Sequence, residues 1–232
     1  MAALLNSTID TKIQVRLEAP SPALQRRLPA PWQPSPIPDG PHAGANLALI
    51  FSDVLLKQDA DGQPAPDATN RYLAFLVPAV HPQTGEAATF IFRIYTAHPE
   101  SVPGRYRNAL PAAIFREQTL RTEGLQALCA ERYELHEAAG GTVALQLEYT
   151  KARPSRVVWP TTLRSAADPS IVRLYRSEAL LDVVRSLPAG VDRVRQYRLV
   201  VTVPELLDVL DGSERLVSIA SIPWFIRQEF AP

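Results

Sequence analysis

Charged side chains inside strand-like segments are the residues of this sequence that could do chemistry. In the segment 90–95, Arg93 and Tyr95 fall on the same face of the predicted strand, because alternate residues of a strand point the same way. An arginine on such a face can hold a carboxylate through paired hydrogen bonds. Glu117 and Glu148 lie in two further strand-like segments, and a partly buried glutamate can act as a general base.

These residues allow two interpretations. If the sheet is open and antiparallel, they simply face water. If the sheet curves around a cavity, they line a polar pocket. Under the second interpretation, the predicted catalytic residues are Arg93, Glu117 and Glu148, and the predicted substrate-binding residues are Tyr95, Arg116 and Trp224.

Motifs for several other kinds of chemistry are absent from the sequence. The four histidines are scattered and form no HxH or HxxxH pair, so we expect no metal site. The serine-hydrolase elbow GxSxG is absent, and so are the GxGxxG loop and the Walker motif of nucleotide-binding proteins, so we expect no cofactor. The one cysteine, Cys129, lies among apolar residues, which is typical of buried packing rather than of a reactive thiolate.

Composition restricts the partners and the compartment. The chain has 232 residues, 46% of them hydrophobic, with 24 basic and 24 acidic residues, and this balance argues against a nucleic-acid partner. The first residues lack the basic segment of a signal peptide, and no stretch approaches the roughly 18 apolar residues of a membrane helix. A single cysteine favours a reducing compartment. We therefore expect a cytoplasmic protein that binds a small molecule, without membrane or nucleic acid.

Most of the elements that must position these residues are predicted strands, separated by turn residues. Few helices are available as crossovers, which argues against a doubly wound α/β sheet. The sequence predicts a mainly β (α+β) fold, a curved antiparallel sheet with a cone-like or barrel-like interior and a few short helices, in one domain spanning 1–232. The predicted strands cover 12–17, 46–56, 72–80, 89–95, 113–121, 130–136, 142–149, 171–175, 193–203, 215–221 and 224–230.

Helices are predicted at three short segments. Segment 21–28 has Ser21 as its expected N-cap and a proline at the first helical position. Segment 204–210 begins at a proline and is followed by Gly212. Segment 178–186 is the third candidate.

The segment 29–41 is rich in proline, so it cannot be the interior of a helix or a central strand. A disordered linker is one interpretation. We expect instead an ordered, extended segment that lies over the domain, because Trp32 and Ile37 provide apolar anchors.

Three pieces of the chain follow one another in a familiar order. Leu24-Gln25-Arg26-Arg27-Leu28-Pro29-Ala30-Pro31 has the form Leu-x-x-x-x-Pro-x-Pro, and Arg107-Asn108-Ala109-Leu110-Pro111-Ala112-Ala113-Ile114 is a central loop that enters a strand. Val217-Ser218-Ile219-Ala220-Ser221 then leads on to Phe230-Ala231-Pro232. In this order and spacing the chain resembles the acetoacetate decarboxylase superfamily. The resemblance implies that family's fold, an interior pocket and oligomers.

The central loop departs from that family's pattern. Its decarboxylases carry Pro-Lys-Lys there, and one lysine forms a Schiff base while the second cation activates it. This chain has Pro111-Ala112-Ala113. Alanine has no amine, so the resemblance implies no acetoacetate-type decarboxylase at this position.

We therefore expect a small-molecule enzyme of secondary metabolism that acts on a carbonyl or carboxylate compound. The expected reaction is of the lyase, isomerase or cyclase type, through non-covalent acid–base and electrostatic catalysis. One alternative is a non-catalytic binding or scaffolding protein, and another is a Schiff-base enzyme that uses Lys57 or Lys151. A homo-oligomer is also expected, because sheet edges need covering and the segment 224–230 is rich in aromatic residues.

Overall fold

The computed structural model describes residues 3–102 and 104–231, and β-strands dominate them. The strands are β1 (Leu4–Glu18), β2 (Gln33–Pro34), β3 (Leu47–Asp59), β4 (Asn70–Val80), β5 (Ala87–Thr96), β6 (Ala109–Glu123), β7 (Gln126–Glu137), β8 (Thr142–Thr150), β9 (Ser155–Ser165), β10 (Val172–Ser186), β11 (Val191–Asp192), β12 (Val194–Val201) and β13 (Arg215–Phe230). The helical elements are α1 (Ser21–Gln25) and 3₁₀ turns at Gly40–His42, Pro99–Ser101 and Pro204–Leu206. Pro232, the last residue of the segment Phe230-Ala231-Pro232, lies outside the described residues.

The strands form one curved sheet in which part of the pairing closes on itself. Hydrogen-bonded neighbours follow the order β12-β8-β7-β6-β5-β9-β10-β13-β1-β3-β4-β2, and β4 also pairs with β5. The strands β5, β9, β10, β13, β1, β3 and β4 therefore form a closed circuit. The sheet is not a regular barrel, because β6, β7, β8 and β12 leave the circuit at β5. The predicted curved, mainly β fold with a few short helices is confirmed.

The main hydrophobic core lies between the circuit and the branch of four strands. It contains buried side chains from β1, β3, β4 and β5 on one side and from β7 and β8 on the other. The ring of Phe51 on β3, for example, lies 5.1 Å from the ring of Tyr133 on β7. One face of the circuit is thus covered by the branch, and the opposite face is free to enclose a cavity.

Two of the three predicted helices are wrong, and the third is shorter than predicted. Segment 178–186 belongs to β10, because it pairs with β9 and β13 on its two sides. Segment 204–210 contains only the 3₁₀ turn Pro204–Leu206. Helix α1 forms, but Pro20 occupies the N-cap position and no side chain caps the helix, so the role predicted for Ser21 is also wrong. Tertiary strand pairing overrides local helix propensity at β10.

The proline-rich segment follows the surface of the circuit as extended chain. Its strand β2 pairs with β4, and the backbone N–H of Ser35 donates to the carbonyl of Pro78 at 2.9 Å. Trp32 is buried and packs its ring against Phe90. The organisation as a single domain stays a prediction. Within residues 3–102 and 104–231, the helices are too short or too polar to cross a bilayer.

Candidate functional site

A cavity of about 550 Å³ lies inside the closed circuit of strands. Its wall takes side chains from each strand of the circuit, and the proline-rich segment contributes residues 35–38. Known pockets for small molecules have volumes of roughly 300–1,000 Å³. The cavity is therefore large enough for a small organic ligand.

Strand β1 supplies the polar side of the wall through strict alternation. Lys12, Gln14 and Arg16 line the cavity, whereas the odd-numbered residues from 13 to 17 are buried in the main core. Successive side chains of a strand point to opposite faces. The pattern of polar even positions and apolar odd positions therefore directs the polar set into the cavity.

The wall of the cavity is basic. Lys12, Arg16 and Arg227 line it, and no aspartate or glutamate among the described residues does so. Basic side chains in a concave site of low dielectric attract anions more strongly than the same charges on an open surface. The arrangement therefore suits a ligand with negative charge.

Lys12 is fixed in place by a carboxylate behind the wall and by an aromatic ring. Its Nζ lies 3.1 Å from Oδ2 of Asp10, and both side chains are almost fully buried, at 5% and 0% exposed. The same Nζ lies 3.3 Å from the ring centroid of Phe225, a cation–π contact. The Ser52 hydroxyl donates to Oδ2 of Asp10 at 3.2 Å. The amine of Lys12 is therefore preorganised rather than mobile.

Arg16, near the C-terminal end of β1, forms a second polar group with His42 of the turn Gly40–His42. Burial lowers the pKa of Arg16 to about 10, so its guanidinium is still charged at neutral pH. Burial, and then the charge of Arg16, lower the pKa of His42 to about 4. The imidazole is therefore neutral at pH 7, and its Nδ1 lies 2.7 Å from Oγ of Ser218.

Phenol side chains surround Arg227. Its guanidinium carbon lies 4.9 Å from the ring centroid of Tyr175, and the hydroxyls of Tyr106 and Tyr175 are 2.6 Å apart. Burial is the largest cause that raises the pKa of both phenols. Both groups are therefore neutral at physiological pH and can donate hydrogen bonds.

The structure brings two of the predicted site residues together, but not at the cavity. Arg93 Nη2 lies 2.6 Å from Oε2 of Glu205, and the Tyr95 hydroxyl donates to the other oxygen of this carboxylate. Burial first, and then the hydrogen bond to Glu205, raise the pKa of Tyr95. Arg93 and Tyr95 thus tie β5 to the turn Pro204–Leu206, outside the wall of the cavity.

The other four predicted site residues also lie outside the cavity wall. Glu117 is exposed on β6, and Glu148 on β8 forms an ion pair with Arg121 of β6. Arg116 is largely buried and pairs with Glu131 at 3.1 Å, and Trp224 is half-buried on β13. Their functional roles stay predictions that this geometry does not support.

Lys12 is the residue that the sequence interpretation missed. Of the other two lysines, Lys57 pairs with Asp67 at 2.7 Å and Lys151 directly follows β8, and neither lines the cavity. The signal was present in the predicted strand 12–17, where polar residues alternate with apolar ones. The loop alanine Ala112 is buried in the main core. No cluster of three or more metal-ligating side chains occurs in the described part of the chain.

Solved structures identify the fold. The chain resembles an acetoacetate decarboxylase-like enzyme from Sphingomonas wittichii RW1, at 14% identity and a TM-score of 0.60, over 100% of this chain and 92% of that one. The chain has the acetoacetate decarboxylase-like fold. The enduracididine biosynthesis enzyme MppR complexed with pyruvate has a TM-score of 0.57 at 12% identity, over 99% and 89% of the two chains.

A decarboxylase structure extends the same comparison. Acetoacetate decarboxylase from Legionella pneumophila has a TM-score of 0.52 at 12% identity, over 98% of this chain and 85% of that one. No protein-family model matches the sequence, and no curated protein matches it. The likeness is therefore one of fold, and the function has to be argued from the cavity.

Proposed function

We propose that this chain is a small-molecule enzyme whose cavity binds an anionic carbonyl or carboxylate compound and acts on it by non-covalent catalysis. The observation that supports the proposal is the basic wall, in which Lys12, Arg16 and Arg227 face a cavity of about 550 Å³ without a lining carboxylate among the described residues. Asp10 already balances the charge of Lys12, so a bound anion would balance the charges of Arg16 and Arg227. The location in the cytoplasm and the assembly into homo-oligomers stay predictions.

Lys12 is the group best placed for chemistry. Its amine is held by Asp10 at 3.1 Å and by the ring of Phe225, so it needs little reorganisation when a ligand reacts. When a base from solvent removes the proton next to a carbonyl group, the charge that develops on the carbonyl oxygen is stabilised by such a preorganised cation. Removal of one preorganised donor in other enzymes reduces turnover by about 100-fold to 1,000-fold.

Pyruvate is a suitable probe, because the similar fold of MppR has been solved with pyruvate bound. Calorimetry should show binding of pyruvate to the wild type, and Lys12→Met should weaken it by about 10-fold or more, as expected for the loss of one charged hydrogen bond. Lys57→Met is the matched control, because this lysine pairs outside the cavity. Equal losses in the two variants would contradict the proposal.

Exchange of the pyruvate methyl protons in D₂O separates an enzyme from a binding protein. An enzyme that stabilises an enolate should accelerate the loss of the methyl signal in proton NMR, and Lys12→Met should abolish the acceleration. A binding or scaffolding protein should bind pyruvate without accelerating this exchange.

A second candidate function is covalent catalysis through Lys12. The observation in its favour is that the amine of Lys12 lines the cavity, whereas Lys57 and Lys151 do not. Attack of the neutral amine on a ketone would form an imine with loss of water. Borohydride added with pyruvate should then leave a reduced adduct on the peptide that contains Lys12, and mass spectrometry without such an adduct favours the non-covalent route.

A further inference from the structure

Among the residues that the structure describes, the buried Arg227 has no carboxylate partner. Its side chain is 8% exposed, yet no acidic side chain of the described residues forms an ion pair with it. Its Nη2 makes one long contact of 3.4 Å with the Thr8 hydroxyl, and its Nε is buried without an acceptor. The nearest acidic groups are engaged elsewhere, because Asp10 pairs with Lys12 and Glu229 pairs with Arg173.

A buried charge without a partner is costly, so this arrangement needs an explanation. The neighbourhood favours the charged form. Although burial acts in the opposite direction, the phenols of Tyr72 and Tyr175 and the carboxylate of Asp10 raise the pKa of Arg227. The guanidinium is thus charged and faces a cavity, with donor capacity that the protein leaves unused.

The position of Arg227 relative to Lys12 suits one small ligand. Phe225 and Arg227 both line the cavity and share one face of β13, where alternate Cα atoms are about 7 Å apart. The amine of Lys12 lies over the Phe225 ring. A ligand bound by Arg227 can therefore extend past Phe225 to Lys12.

The phenols complete the set of donors. Tyr106 and Tyr175 share one hydrogen bond of 2.6 Å in which either oxygen can donate. One hydroxyl hydrogen satisfies this contact, so the second is free for another acceptor. A guanidinium fork beside a phenol donor matches the two oxygens of a carboxylate.

We propose that Arg227, together with Tyr106 and Tyr175, binds the carboxylate of the ligand and so makes the cavity select carboxylates over neutral carbonyl compounds. This inference rests on the proposed function, because it assigns one subsite within the same cavity. The orientation follows from it. The carboxylate lies at β13, and the remainder of the molecule points towards Lys12.

The test compares pyruvate with pyruvamide, its uncharged amide, by calorimetry. The wild type should bind pyruvate at least about 10-fold more tightly, because the amide leaves the buried cation without a counter-charge. In Arg227→Gln this preference should fall to about 2-fold or less. Arg173→Gln is the matched control, because Arg173 is a partly buried arginine that pairs with Glu229 outside the cavity wall. It should keep the preference of the wild type.

Two further variants cover the case in which Arg227→Gln does not fold, as judged by circular dichroism. The double variant Tyr106→Phe with Tyr175→Phe removes the free donor and should reduce the preference by about 3-fold or more, whereas Arg227→Lys keeps the charge and should retain part of it. An unchanged preference in Arg227→Gln, or in the double phenylalanine variant where only that one folds, would overturn the subsite but not the proposal that the cavity binds the ligand. A wild type that binds neither compound would overturn both proposals.

Discussion

The buried pair of Asp10 and Lys12 offers a sharp test of how the cavity is held. Asp10→Asn keeps the size of the side chain and removes its charge, so the amine of Lys12 loses a partner at 3.1 Å in a site that is 0–5% exposed. Breaking a buried pair on one side leaves an uncompensated charge and costs about 3–5 kcal/mol. The free energy of unfolding should fall by this amount.

The pair of Lys57 and Asp67 is the matched control within the same chain. It has a shorter contact of 2.7 Å, but its side chains are 16% and 32% exposed. Partly exposed pairs contribute about 0.2–1 kcal/mol. Asp67→Asn should therefore destabilise the protein far less than Asp10→Asn, although the shorter distance alone would suggest the opposite.

Urea denaturation at pH 7, followed by intrinsic tryptophan fluorescence, measures both changes. The double variant Asp10→Asn with Lys12→Met should recover part of the loss, because it removes the stranded charge as well. A loss below about 1 kcal/mol for Asp10→Asn, or equal losses for both aspartates, would refute the reasoning. The amine of Lys12 would then have another source of stabilisation.

Three other predictions follow from particular contacts. His42 has a pKa of about 4 in the folded chain against 6.5 when unfolded. Because the unfolded state binds the proton more readily, the free energy of unfolding should fall by up to about 3 kcal/mol as pH falls from 6.5 to 4. His42→Gln should flatten this pH dependence in urea titrations. Glu117→Gln should change the affinity for pyruvate by less than about 2-fold, since Glu117 is exposed on β6. A larger loss of affinity in calorimetry would support the catalytic role that the sequence predicts for Glu117. Sedimentation at several concentrations should show a homo-oligomer, and a species that stays at 25.6 kDa would rule it out.

The sequence predicts most strands because alternate residues of a strand are buried, so apolar residues recur at every second position. Segment 142–149 is an example, and β8 follows it almost residue for residue, with apolar odd positions buried. Segment 178–186 misleads because its apolar residues also fit a helix. Its state is decided by β9 and β13, which lie far away in sequence and pair with it on both sides. No local pattern contains that information.

The site was harder to predict than the fold because the sequence does not say which face of a strand meets the cavity. Arg93 was correctly placed on a strand, yet its face of β5 meets the turn that carries Glu205. Lys12 was also placed on a strand, and its face meets the cavity. The difference arises at an irregularity of β5: Ile91 and Ile94 both line the cavity, so the strand changes face between them, where its pairing with β4 shifts register. Polar residues at alternating positions identify candidate site residues, but only the folded sheet shows which of them face the cavity.

The pairing of β1 with β13 has a consequence for how the cavity is made. Lys12 comes from the first strand, Arg227 from the last, and Asp10 lies opposite Phe225 in the ladder between them. Contacts between such distant parts of a chain form slowly, because closing a very large loop costs conformational entropy before the contacts can stabilise the structure. The ligand-binding chemistry should therefore be among the last features to appear during refolding. While the chain is being synthesised, the strands from β1 to β10 can exist for some time without a complete binding site, and fragments that end before β13 should be inert towards pyruvate even where they are compact.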